Sequence, residues 1–153
     1  MTTIGELMTQ KLEMIEASSS AQEAAKKMRD KKISSLVVVD DNSKPVGIIT
    51  ERDLVTKVCV HDASSKHSTV KDIMSDTLVT SDAVSEVGVA ADIMIQNKVR
   101  HLLVVEDNDV NKPLGIITPS DFASYLKENL KIDDVNAKII ESLKETEKEG
   151  TGS

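Results

Sequence analysis

The sequence predicts an α+β (α/β) fold made of one β-α-β-β-α unit used twice. An internal repeat carries this first. Thr3–Asp41 aligns with Thr69–Asp107 at an offset of 66 with 13 identities in 39 positions, among them Met8/Met74, Leu12/Leu78, Ala24/Ala90, Met28/Met94, Leu36/Leu102 and Val38/Val104. After two extra residues in the Asp107–Lys112 turn, Lys44–Leu54 and Lys112–Phe122 share 7 of 11 positions. Strand-sized aliphatic runs and helix-spaced small residues recur at matching places in both copies. The organisation is therefore copy one at 3–60, a polar linker at 61–68, copy two at 69–128, and a C-terminal helix and tail at 129–153.

Each copy opens with a short helix (Ile4–Met8; Val70–Met74) and an extended segment around Leu12 or Leu78. In copy one, Ser19-x-x-Gln22 or Ser20-x-x-Glu23 offers a capping box for the next helix. Ala21, Ala24, Ala25 and Met28 then form an apolar stripe, matched by Val84, Val87, Ala91 and Met94. A buried strand (Leu36–Val39; Leu102–Val105), an Asp/Asn/Lys-Pro turn and a second strand (Val46–Ile49; Leu114–Ile117) follow. A final helix begins near Thr50 or Thr118. The spacing beyond Lys127 predicts a polar helix over Val135–Lys148 and a flexible tail from Gly150 to Ser153.

Composition removes several function classes. Lys+Arg is 19 and Asp+Glu 26, a net charge of −7, which argues against nucleic acid as a partner. Phe122 and Tyr125 are the only aromatics, so no base-stacking platform exists and the core must be aliphatic. The one cysteine, Cys59, rules out an internal disulfide and fits a reducing compartment. Flanked by Val58 and Val60, it is expected as buried filler. No apolar run is long enough for a membrane span, and the first residues lack the pattern of a signal peptide, so a cytoplasmic protein is expected. His61, His67 and His101 lack metal-ligand spacing, and no metal is expected. Without a Walker loop or a nucleophile motif, the chain is not expected to be an enzyme.

The most informative stretch is Gly47-Ile48-Ile49-Thr50-Glu51-Arg52-Asp53, repeated as Gly115-Ile116-Ile117-Thr118-Pro119-Ser120-Asp121. A Thr at the end of a strand with an acid three residues on is a helix cap, and Pro119 suits a first helical position. The same corner suits a nucleotide. Free N–H groups at a helix start attract an anion, the Thr hydroxyl can bond a phosphate or sugar oxygen, and the Asp can accept from vicinal hydroxyls. Gly47 and Gly115 would let a ligand approach the backbone. The two readings are compatible.

These elements resemble a tandem pair of CBS domains, the cystathionine-β-synthase-type repeats that form a Bateman module. The resemblance spans about residues 3 to 128. It rests on the Met8/Met74 helix, the Ala-Ala-x-x-Met helix, the Leu-x-Val-Val strand and the Gly-Ile-Ile-Thr-x-x-Asp corner. It implies two β-α-β-β-α units packed sheet to sheet in pseudo-twofold symmetry, a homodimer, and clefts for AMP, ADP, ATP or S-adenosylmethionine. By that resemblance Asp53 and Asp121 would hold ribose, and Thr50 and Thr118 ribose or phosphate. Arg100, His101, Arg52 and Ser120 would meet phosphate. Ile33 and Val99, with Gly47, Gly115 and Ile116, would wall the adenine.

Arg100-His101 in copy two stands opposite Ser34-Ser35 in copy one, and Arg52 opposite Ser120. One cleft is therefore expected to bind a phosphorylated nucleotide better than the other. The expected function is an adenine-nucleotide sensor that signals in trans to a regulated partner of unknown identity. The alternative is a ligand-independent adaptor in which Thr-x-x-Asp only caps.

Overall fold

The computed structural model describes residues 2–9, 12–129 and 132–150. The chain divides into two compact units, Met1–Thr118 and Pro119–Ser153. In the first, α1 (Ile4–Leu7) leads to β1 (Met14–Glu16), α2 (Ala21–Lys31), β2 (Ser35–Val39), β3 (Pro45–Thr50) and α3 (Glu51–Leu54). A π-helical turn, Val55–Cys59, continues α3. Copy two repeats the order with α4 (Val70–Ile73), β4 (Thr80–Asp82), α5 (Val87–Asn97), β5 (Leu102–Glu106) and β6 (Asp109–Ile117). The second unit holds α6 (Pro119–Asn129) and α7 (Ile132–Gly150). The tail expected at 150–153 falls outside the described residues except for Gly150, which ends α7. No helix among the described residues is long and apolar enough to cross a membrane.

The fold is a mixed α+β arrangement of two three-stranded sheets, ordered β1-β2-β3 and β4-β5-β6. The outer strands run parallel to the middle ones (Ile15 opposite Val38; Ser81 opposite Val104), and the hairpins are antiparallel. The parallel step from β1 to β2 requires a crossover, which α2 supplies. The first extended segment lies two residues later than expected, at Met14 and Thr80, because Leu12 and Leu78 instead pack against the layer between the sheets.

Alternation along the middle strands builds both layers. Leu36 and Val38 face the helices, joining Ala21, Ala24, Met28 and Ile49 in the core of copy one. Val37 faces the other way and meets Leu103, Val105 and Ile116 of copy two, so the sheets pack face to face. The middle strands are buried on both sides and read as unbroken aliphatic runs for that reason.

Ser20 is the residue that caps α2: its hydroxyl accepts from Glu23 N–H while Glu23 reaches back to Ser20 N–H. The expected helical stripes need two corrections. Ala25 is exposed, leaving Ala21, Ala24 and Met28 as the buried face. In copy two the buried pair is Ala90 and Met94; Val84 lies in the turn before α5 and is 77% exposed. Cys59 is also exposed, not buried, because the π-helical turn directs Val58 inward and leaves Cys59 and Val60 outside.

The short opening helices are exchanged. Ile4 and Gly5 donate their N–H groups to Ser85 O and Ala83 O of copy two, while Val70 and Lys71 donate to Ser19 O and Ala17 O of copy one. Val70 and Ile73 complete the core of copy one. Within the linker, Ser65 O and Ser68 O accept from the N–H groups of Gln22 and Ala21, so this polar segment ties down the start of α2.

Candidate functional site

β3 delivers Thr50 in an extended conformation immediately before α3, and the capping box closes there. Thr50 Oγ1 accepts from Asp53 N–H at 3.2 Å, and Asp53 Oδ2 accepts from Thr50 N–H at 2.9 Å and from its hydroxyl at 3.0 Å. Asp53 Oδ1 pairs with Lys57 Nζ at 3.2 Å. Lys57 in turn donates to Ile73 O at the end of α4, so the corner of copy one is tied to copy two. Glu51 N–H donates to Ser34 O at 3.0 Å. Two of the N–H groups expected to await an anion at the start of α3 are thus satisfied within the chain, because neighbouring acceptors lie closer than solvent.

The copy-two residues that precede β5 come to this corner. His101 Nε2 lies 3.2 Å from Ser34 Oγ, joining the two copies. Burial holds the His101 imidazole below its ordinary pKa of 6.5, and the neighbouring Arg100 charge adds to this while Asp53 opposes it. His101 therefore sits in the field of Asp53, beside the corner of copy one. Arg52 is exposed on the first turn of α3.

The shift has a sign that can be tested. With the folded-state pKa depressed, the unfolded chain binds the proton more readily, so stability is full above about pH 6.5 and falls as the pH drops below it. A His101→Gln variant should lose less stability than the parent between about pH 7 and about pH 5.5 in chemical denaturation. Parallel pH profiles would refute the assignment.

A cavity of about 460 Å³ opens at the seam between the copies, within the range of about 300–1,000 Å³ usual for small-molecule pockets. Copy one supplies Met28, Arg29, Lys32, Ile33, Ser34, Ser35 and Glu51, and copy two supplies Ile116 and Thr118. Thr9 completes the lining and is paired to Ile116 through N–H to carbonyl bonds in both directions. Of the residues singled out in the sequence, the structure brings Ile33, Ile116 and Thr118 together here. Val99 is half-buried just beyond the C-cap of α5, its N–H donating to Met94 O. Asp121 and Ser120 belong to the first turn of α6 in the second unit.

The glycines have a different role from the one expected. A Cβ on Gly47 would fall 2.5 Å from Ser75 O and 2.7 Å from Met74 Sδ; on Gly115 it would fall 2.7 Å from Thr9 O and 2.8 Å from Met8 Sδ. What approaches these backbones is the other copy, a methionine over each glycine. Arg29, Lys32 and Glu51 were not singled out from the sequence. The available signal was that Arg29 aligns with apolar Ile95, a cation present in copy one alone.

Among the described residues, no group of three or more His, Cys, Asp and Glu side chains is placed to hold a metal ion. Comparison with known proteins follows the same lines as the geometry. The profile of the CBS domain matches residues 4–59 and 70–128. An uncharacterized protein of Methanopyrus kandleri is 36% identical over 119 residues, covering 78% of this chain and 60% of that protein. The inosine-5'-monophosphate dehydrogenase of Nitrosopumilus maritimus is 33% identical over 120 residues, 78% of this chain but 23% of that enzyme. The chain thus spans less than two thirds of either relative. The crystal structure of an uncharacterized conserved protein from Pyrococcus horikoshii superposes with a TM-score of 0.74 at 31% identity, covering 81% of this chain and 91% of that one. Two matched repeats, a shared fold and a seam lined by both copies identify this chain as a member of the CBS domain family, carrying a tandem pair.

Proposed function

We propose that the chain is a non-catalytic regulatory module that binds an adenine nucleotide between its two copies and passes its occupancy to a partner protein in trans. The observation that carries this is the cavity at the seam. Met28, Ile33 and Ile116 offer aliphatic walls for a base in a lining that contains no aromatic ring, and the hydroxyls of Ser34, Ser35 and Thr118 offer hydrogen bonds. A ligand touching both copies favours the spacing that suits it, and a partner that prefers that spacing then binds differently. In this reading Asp53 and Asp121 hold ribose, Thr50 and Thr118 assist, and Arg100 and His101 serve a phosphate at the corner of copy one. The module works in the cytoplasm as a homodimer; Val55 and Val60, 55% and 68% exposed beside the corner of copy one, are aliphatic surface of the kind such contacts cover.

Thermal unfolding with adenosine, AMP, ADP, ATP and S-adenosylmethionine tests the reading. A ligand at about 100 times its Kd should add about 2.7 kcal/mol of stability. No shift with any of them, and no nucleotide found by mass spectrometry of the purified protein, would reject it. A second reading, a ligand-independent adaptor, draws on the fact that both oxygens of Asp53 are already engaged in the fold. It predicts that Asp53→Ala lowers stability by about 1 kcal/mol through the lost cap and changes no ligand response.

A further inference from the structure

The copies differ most in charge along the helix that crosses between their first two strands. Residues 26–32 of copy one read Lys-Lys-Met-Arg-Asp-Lys-Lys, five cations and one acid, whereas the aligned residues 92–98 of copy two read Asp-Ile-Met-Ile-Gln-Asn-Lys. In a chain of net charge −7 this is a concentrated positive patch. It has an internal order. Lys27 and Lys31 lie 3.7 Å from the carboxylate of Glu13. Arg29 and Lys32 instead line the seam cavity, beside the hydroxyls of Ser34, Ser35 and Thr118.

We propose that the seam cavity selects a nucleoside di- or triphosphate, with Arg29 and Lys32 holding the phosphates beyond the first. This rests on the nucleotide reading above and assigns the phosphate specificity of that cavity to α2, not to the residues before the middle strand. Arg29 is free to serve. Its contact is with the adjacent Asp30 at 2.8 Å, and the two side chains are 69% and 62% exposed, so a phosphate that binds in bidentate fashion can displace that weak pair. Lys32 caps α2 in a left-handed conformation, which brings its side chain to the cavity rim instead of along the helix. Glu51, on the same lining, repels a phosphate that drifts towards α3 and so leaves the α2 side as the favourable one. At the corner of copy one the cation is Arg100, beside His101 and ahead of β5, so the two copies place their phosphate-side positive charge on different elements.

Isothermal titration with adenosine, AMP, ADP and ATP on the full chain tests this. In the parent, ATP and ADP should bind the seam cavity more tightly than AMP, and AMP more tightly than adenosine. The Arg29→Gln/Lys32→Gln variant should weaken ATP by roughly tenfold for each cation removed while leaving adenosine unchanged. The Lys26→Gln/Lys31→Gln variant removes two charges from the same helix without touching the lining, and should leave the order and the affinities near those of the parent. Equal losses for ATP in the two variants, or an ATP affinity insensitive to both, would overturn the assignment while leaving the nucleotide reading in place. No binding of any of the four compounds to the parent would remove both together.

Discussion

Gly47→Ala is expected to lower the unfolding midpoint by roughly 5–10 °C, a loss of about 2–3 kcal/mol. The new methyl would meet Ser75 O at 2.5 Å and Met74 Sδ at 2.7 Å. The thioether can swing away, because methionine has three rotatable bonds. The carbonyl cannot: Ser75 is bonded through both its N–H and its oxygen to Ile48, one residue along β3. Relief must therefore come from parting the copies, which strains the whole sheet-to-sheet layer. Gly115→Ala should behave alike against Thr9 O and Met8 Sδ. Gly88, near the start of α5, has nothing within 4 Å of a new Cβ, so Gly88→Ala should stabilise by about 0.5–1 kcal/mol. Differential scanning calorimetry of the three variants decides the matter. A silent Gly47→Ala would mean that the copies are not in contact there.

Leu103→Ala should cost about 2–5 kcal/mol, enough to unfold a marginal domain. Leu103 is 1% exposed and lies with Val37, Val105 and Ile116 in the layer between the sheets. The side chains packed together in that layer are aliphatic or methionine, so the cavity left by truncation would be lined by apolar groups, the kind of cavity that stays dry. Leu143→Ala on α7, where the side chain is 63% exposed, should stay within about 0.5 kcal/mol of the parent. Urea denaturation reads both. Similar losses for the two would contradict the assigned burial. Ile116 lies both in this layer and in the lining of the seam cavity, so a ligand that contacts it gains from every interaction that keeps the sheets together.

The architecture was legible because its signals are local and doubled. Each strand and each main helix shows once as a pattern and again as an aligned copy, and the capping pairs Ser20/Glu23 and Thr50/Asp53 announce their helices. Cys59 shows where this ends. Its valine neighbours suggest burial, but in a π-helical turn three successive residues cannot all face inward, and only Val58 does. Val84 misled in the same way, since it continues the α5 stripe in spacing but precedes the helix in space. Gly47 and Gly115 signal a close approach without naming what approaches, and Met74 and Met8 supply it. Arg29 in the last turn of α2 and Lys32 at its C-cap have a sufficient local explanation as cations that complement the helix dipole, and only the packing of copy two against that end makes them part of a cavity.

The exchanged opening helices bear on how the two halves of the chain could ever exist apart. Copy one without Val70 and Ile73 has an open side in its core, and copy two without Ile4 has the same defect. Neither half is a self-sufficient folding unit, so opening one exposes apolar surface on the other and the pair melts as a single cooperative block. Whatever steadies that seam steadies the remotest strand of either sheet as well, so under the proposed function the first unit would respond to occupancy as a whole or not at all.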